Sequence, residues 1–349
     1  MRTKSADVPY CGVDREKIEK AKPLLDADNQ FYLKTWIEER YRIHLLKDVE
    51  KKSKPWTQYS PLQNYKFTNV KRYHDKETRK LLKHIIKPCL SIEERMLNII
   101  LFRIWNKWKT MEIFQGPWDT SVFNAPDIKE IMRPYYHVWK QNFPDYVWFG
   151  NAFNTGGAKA ALKFPQGDGY QRAYSEEKAK KHGDWEKDIP LRPFHLIPIC
   201  KERDIIQRIL KSKNQAEVLE ILKELPSISN FLGYQIFVDF TYMHDFPFSE
   251  NEFTVSGPGC HKGLELLFKD RDGLTDEELI FWLRDNQEIL GIDFYRLFCD
   301  LPEYDRHLTV MDIENCMCEH SKHMKIVKGT GRPKLKYNGK PDNSSFGLL

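Results

Sequence analysis

The chain has 349 residues, carries 55 Lys and Arg against 50 Asp and Glu, and has a formal net charge of +5. Hydrophobic residues make up 41% and aromatics 13%, which suffices for a packed core and excludes a disordered chain. No run of about 18 apolar residues exists to cross a bilayer, the opening MRTKSADVPYCGVDREK lacks the apolar centre of a secretory signal, and seven scattered cysteines read as reduced thiols in a cytoplasm. Residues 1–30 read as a polar lead-in broken by Pro9 and Pro23. A helical period then starts at Phe31 and runs through Tyr32, Trp36, Ile37, Tyr41, Ile43 and Leu46. A Lys-, Trp- and Tyr-bearing loop follows, then a helix around 75–87. The clearest buried helix is 92–108, opened by Ser91 with Glu94 placed as in a capping box.

Helices are predicted at 127–142 and 151–163, and the Gly- and Lys-rich stretch 165–190 reads as an exposed insertion. Further helices are predicted at 201–211, 214–224, 228–243, 261–268, 275–285, 291–297 and 309–327. Residues 338–349 read as a disordered tail. Alternating strand patterns are scarce and no βαβ rhythm appears, so the expected fold is all-α, with one helical domain over 31–337.

Four stretches carry chemistry. In SGPGCHKGL (256–264), Gly257 and Gly259 permit close backbone approach, and His261 and Lys262 supply polar groups. A helix–hairpin–helix there would hold a phosphate at a helix N-terminus, although an ordinary interhelical turn uses the same residues. In FTNVKRYHD (67–75), Asn69, Arg72 and Asp75 recur every third residue. They would share a helical face able to read a base edge or clamp a phosphate, or they form a solvated helix start.

In LTVMDIENCMCEHSK (308–322), Glu314, Cys318 and Lys322 share one stripe with Glu319 beside it, a setting for a general base or for intrahelical ion pairs. Cys316, His320 and His323 lack the paired short spacings of a reliable zinc site, so no metal is expected. The fourth group is smaller signals: Arg103 and Asn106 as polar intrusions in FRIWNKW, Asp239 within the apolar FLGYQIFVDF, and Asn151, Asn154 and Thr155 at a helix start in GNAFNTGGA. A buried Asp is costly unless paired, so Asp239 belongs either to a structural network or to an active site. Arg332 and Lys334 add basic charge near the end. P-loop, dinucleotide, kinase and Gly-x-Ser-x-Gly motifs are missing from the 349 residues.

The blocks ERYRIH (39–44), KPWTQY (54–59), YKFTNVKRYHD (65–75), ILFRIWNKWKT (100–110), FGNAFNTGGA (149–158), FLGYQIFVDF (231–240), VSGPGCHKGL (255–264) and the segment 308–337 follow one another in a fixed order. This order resembles the helical domain attached to hydroxymethyluracil DNA kinases. That domain is shared with stand-alone alpha-glutamyl/putrescinyl thymine pyrophosphorylases and phage amino acid:DNA transferases. The resemblance implies a helix-hairpin-helix, DNA glycosylase-like helical fold working on double-stranded phage DNA in the cytoplasm of an infected host. It further implies that a kinase acts upstream, and that an amino acid or polyamine displaces the (pyro)phosphate from 5-(pyro)phosphomethyl-deoxyuridine without a cofactor.

On that reading Gly257, Gly259, His261, Lys262, Arg332 and Lys334 hold DNA, and Arg72 and Arg103 bind the leaving phosphate. Asn69, Asn106 and Asn154 read the base, with Asp75, Asn151, Thr155 and Lys322 around it. Asp239, Glu314 or Glu319 deprotonates the amine. The alternatives are a non-catalytic DNA-binding subunit and a glycosylase for modified pyrimidines.

Overall fold

Asp14 accepts from the Lys17 amide and opens a short helix, α1 (Arg15–Lys20), whose Ile18 is buried. The computed structural model describes residues 11–150 and 189–331. A two-residue strand, β1 (Leu24–Leu25), follows. Asp26 then caps α2 (Ala27–His44) by accepting from the Asn29 amide. Its Leu33, Trp36, Ile37, Tyr41 and Ile43 face the core, as the three- and four-residue spacing predicts. The last turn of α2 widens into a π-helical stretch, Leu45–Val49. Beyond a lysine-rich loop lie α3 (Ser60–Asn64) and a 3-10 turn at Arg72–His74.

The chain divides into two compact units, and at Lys76 it enters the second, which extends to Val255. Here α4 (Lys76–Leu81) leads to α5 (Ile92–Trp105), which carries the predicted capping box: Ser91 accepts from the Glu94 amide and Glu94 accepts from the Ser91 amide. The helix stops one residue after Trp105, where Asn106 adopts φ 47°, the left-handed conformation that asparagine tolerates. Then come α6 (Trp108–Ile113), α7 (Thr120–Phe123) and α8 (Ile128–Asn142). After the undescribed residues follow α9 (Leu196–Glu202), α10 (Ile205–Leu210), α11 (Gln215–Lys223) and α12 (Asn230–Thr241). Trp105, Phe114, Trp118 and Phe194 pack ring against ring at the centre of this unit.

At Ser256 the chain returns to the first unit. It adds α13 (Pro258–Leu267), β2 (Phe268–Asp270), α14 (Asp276–Asp285), α15 (Phe294–Leu297) and α16 (Val310–Val327). β2 pairs antiparallel with β1, and the Asp26 amide donates to the Leu267 carbonyl at 2.8 Å. The segment read as a polar lead-in therefore carries, from residue 14 onward, a helix and a strand sewn into this unit. Its partners are more than two hundred residues away along the chain (Lys17 with Glu278, |i−j| = 261), beyond the reach of local pattern.

Two glycines set the packing of α13 on α16. A Cβ on Gly263 would lie 2.1 Å from the Met317 carbonyl oxygen, and one on Gly259 would lie 2.4 Å from Cys318 Sγ. The all-helical expectation holds for most of the described chain, with the small β1–β2 pair added. The predicted helix 151–163 and nearly all of the predicted insertion 165–190 lie outside the described residues.

Candidate functional site

In the first unit, the turn after Phe67 is shaped by its own polar groups. The Asn69 amide donates to Asp75 Oδ1 at 2.8 Å, and Asn69 Nδ2 donates to the His74 carbonyl at 2.9 Å. Asn69, Arg72 and Asp75 thus belong to a closed loop with a 3-10 turn in it, where a helical face was expected. The reason is Asp75, which accepts from a backbone amide six residues earlier and so favours a turn over a helix.

α16 holds this loop from beneath. Asp312 Oδ1 accepts from the Arg72 amide at 2.9 Å, and Asn315 Nδ2 donates to the Asn69 carbonyl at 3.0 Å. Lys71, fully buried, reaches Asp305 at 3.1 Å and Asp312 at 3.2 Å, and it donates to the His307 carbonyl. Burial alone would lower its pKa, but the two carboxylates outweigh that and raise it. Asp312, Asn315, Lys71 and Arg40, which donates to the Thr68 carbonyl at 2.8 Å, were not singled out from sequence. The available signal was a lysine following the buried Val70.

Glu314, between Asp312 and Asn315 on α16, is 2% exposed. Its Oε1 accepts from the Gly257 amide at 3.3 Å. Burial pushes its carboxyl up to about 7; the Gly257 amide and the charges of Arg72 and Lys322 pull the other way, and Glu319 adds to the rise. Lys322 Nζ sits 2.6 Å from Glu319 Oε1, and that carboxylate holds the ammonium pKa above its ordinary value against burial. Burial also raises Asp75, opposed by Arg72, the Asn69 amide and Arg40, while Glu319 reinforces it. Arg72, Asp75, Glu314, Glu319 and Lys322, five of the expected residues, therefore form one electrostatically coupled group. A carboxyl pushed up to about 7 is suited to take and return a proton at neutral pH.

The Gly-Pro-Gly segment differs from the expected hairpin. α12 ends at Thr241 and α13 begins at Pro258, so the turn is not a short link between two helices. The Gly257 amide donates to Glu314, the Ser256 amide donates to Glu277 at 2.9 Å, and Ser256 Oγ donates to Asp276 at 3.1 Å. His261 lies 2.8 Å from Asp276 and 3.3 Å from Glu265. The amides expected to cradle a phosphate already face carboxylates of the chain itself, and an incoming phosphate would meet like charge. Gly259 serves the approach of α13 to α16. Lys262 is exposed.

In the second unit, Arg103 and Asp239 are each 1% exposed or less. Arg103 Nε donates to Asp239 Oδ2 at 2.6 Å and Nη2 to Oδ1 at 2.7 Å, a two-pronged pair. Arg103 Nη1 donates to Asn106 Oδ1 at 2.8 Å. Both Asp239 oxygens accept from one guanidinium, so the pair locks α12 to α5, and neither group has the freedom expected of a base or a phosphate clamp. Asn151, Asn154, Thr155, Arg332 and Lys334 lie outside the described residues. Among the described residues no group of three or more His, Cys, Asp or Glu side chains could hold a metal ion, and no helix is long and apolar enough to cross a membrane.

A mostly helical chain with a buried, coupled set of acids and bases is the class that this fold and site define. Residues 29–332 match the family described as 5-hmdU DNA kinase, helical domain. The chain belongs to that family. It is 24% identical over 346 residues to a 5-hmdU DNA kinase of Bacillus phage SP10, an alignment that covers 88% of this chain and 48% of that protein. The chain thus spans about half the length of this relative. No solved structure matches.

Proposed function

We propose that this chain is a DNA base-modification transferase. It replaces the phosphate or pyrophosphate of a 5-(pyro)phosphomethyl-deoxyuridine in DNA with the amine of an amino acid or polyamine. Family membership supports the DNA-modification part, since a kinase named for 5-hmdU makes a phosphorylated hydroxymethyl group the natural substrate for a following step. The observation that carries the transfer step is Glu314, a buried carboxyl near neutral pKa, coupled to the cations Arg72 and Lys322.

In the proposed reaction the bond between the C5 methylene carbon and the phosphate oxygen breaks, and its electron pair leaves with the phosphate. The lone pair of the amine forms the new C–N bond. The ammonium that results gives its extra proton to the Glu314 carboxylate, which returns it to water. Arg72 and Lys322 neutralise the departing phosphate. The buried Asn69 Oδ1, to which no described group donates, accepts from N3–H of the base. Glu319 keeps Lys322 in place. Asp239, Arg103 and Asn106 are assigned to scaffold.

The test is mass spectrometry of nucleosides from DNA carrying phosphomethyl-deoxyuridine, after incubation with the protein and a pool of amino acids and polyamines. A nucleoside with one amine gained and one phosphate lost, absent with Glu314→Gln, is the expected product. An unchanged profile despite binding would leave a DNA-binding subunit, and abasic sites would identify a glycosylase.

A further inference from the structure

The candidate phosphate cradle at Gly257 is lined by carboxylates, so the DNA grip must be sought elsewhere in the first unit. The loop between α2 and α3 is rich in lysine. The four lysines Lys47, Lys51, Lys52 and Lys54 against Asp48 and Glu50 leave the segment 47–54 with a net +2. Lys66 and the buried Arg40 lie close enough to lower the Lys47 pKa, and Glu39, bonded to Thr57, adds a carboxylate at the end of the loop.

The loop is built, not merely basic. Trp56 Nε1 donates to the Lys52 carbonyl at 2.8 Å, the Lys52 amide donates to the Leu46 carbonyl at 2.9 Å, and Lys51 Nζ donates to the Asp48 carbonyl at 2.6 Å. The Trp56 ring packs against the unit's core, and both Lys47 and Lys54 lie over it, 5.8 and 5.3 Å from the ring centroid. Lys51, Lys52, Lys54 and Lys66 are exposed. Lys52 is paired with Glu50, and Lys47 lies 3.5 Å from Asp48. Burial first, then Arg40 and Lys66, lower the Lys47 pKa against the help of Asp48. A polyanion relieves that crowding, and charges fixed beforehand on a tied loop lose little freedom on binding.

The patch also leads to the candidate site. Arg40 acts electrostatically on Lys47 at one end and on Asp75 at the other. Arg40 itself is buried and held by the Phe67 and Thr68 carbonyls, which makes it a fixed bridge between surface and site.

We propose that the lysine-rich loop 47–56, backed by Arg40 and Lys66, is the surface with which the first unit grips the phosphate backbone of duplex DNA. This rests on the reading that the substrate is DNA. Each lysine–phosphate contact releases condensed counterions, so the logarithm of the binding constant falls with the logarithm of salt by about 0.9 per contact.

The experiment is fluorescence anisotropy of unmodified duplex DNA with the full chain across a salt series. The wild type is compared with Lys51→Ala/Lys52→Ala/Lys54→Ala, and with Lys211→Ala/Lys213→Ala, exposed lysines of the second unit. The loop variant should lose about 2 to 3 from the magnitude of the salt slope, and roughly a hundredfold in affinity at 0.1 M salt. The control pair should leave the slope unchanged. A slope kept by the loop variant, an equal loss in the control, or no binding by the wild type at low salt overturns the proposal. Unmodified DNA separates it from the transfer reading: binding without amine transfer refutes only that reading, and transfer with an unaltered slope refutes only this one.

Discussion

Replacing Glu314 by Gln should make the protein more stable at alkaline pH while abolishing the proposed transfer. The carboxyl moves from its ordinary 4.5 to about 7 because burial penalises its charge. The folded state therefore keeps this proton up to about pH 7, whereas the unfolded chain releases it near 4.5. The stability that the protonated carboxyl contributes is present below 4.5, is lost as pH rises through about 7, and stays lost above it. At about 1.4 kcal/mol per pH unit, the ionised Glu314 costs about 3 kcal/mol at pH 8. Gln does not ionise, and its Oε1 still accepts from the Gly257 amide. Urea unfolding of both proteins from pH 4.5 to pH 8.5 should show their free energies nearly equal at the acid end and separated by about 3 kcal/mol at the alkaline end. A difference that stays flat with pH would refute the argument that Glu314 is held buried against its charge.

The remaining predictions concern the scaffold. Asp239→Ala removes the carboxylate that holds the buried Arg103 and should cost about 3 to 5 kcal/mol in thermal or urea unfolding; a loss below about 1 kcal/mol would show that the pair is not structural. Gly263→Ala places a methyl group 2.1 Å from the Met317 carbonyl oxygen, and the forced separation of α13 from α16 should cost on the order of 1 to 3 kcal/mol, read as a lower urea midpoint. Burial lowers His320 to about 3 and His323 to about 4 from an ordinary 6.5. The unfolded chain thus binds more protons between those values, and stability should be full above about 6.5 and fall as pH drops toward 3. His320→Phe should flatten that acid limb, and a limb of unchanged steepness would clear His320 of the effect.

Helices were legible where periodicity and caps agree. Ser91 and Glu94 announce α5 before any packing is considered, and the buried positions of α2 follow from spacing alone. What local pattern missed is long-range. β1 has two residues and exists because β2 lies beside it. The division into two units is equally invisible, because the first unit is assembled from two stretches separated by about 180 residues. The glycines of 257–263 carried a true signal of close approach, but sequence could not say whether the approaching group was a phosphate or the Met317 carbonyl. Arg103 and Asp239 illustrate the same ambiguity: a polar residue in an apolar helix marks a required partner, and here the partner is internal. Glu314 was legible as a candidate from its stripe with Lys322. Its near-neutral pKa was not, since that depends on burial beneath Gly257 and on Arg72 from another segment.

The geometry at Gly257 connects these threads. A helix N-terminus attracts an anion, and the amide at the start of α13 receives Glu314. The attraction is too weak to offset desolvation, which is why the carboxyl stays pushed up to about 7. Had Glu314 been exposed, it would be an ordinary capping carboxylate. The close packing of α13 on α16, which only glycine at 259 and 263 permits, brings the Gly257 amide within reach of this carboxyl. The conformational requirement on those glycines and the proton affinity of Glu314 are therefore one constraint, and a methyl group at Gly263 should shift the pH dependence of the site as well as the stability of the fold.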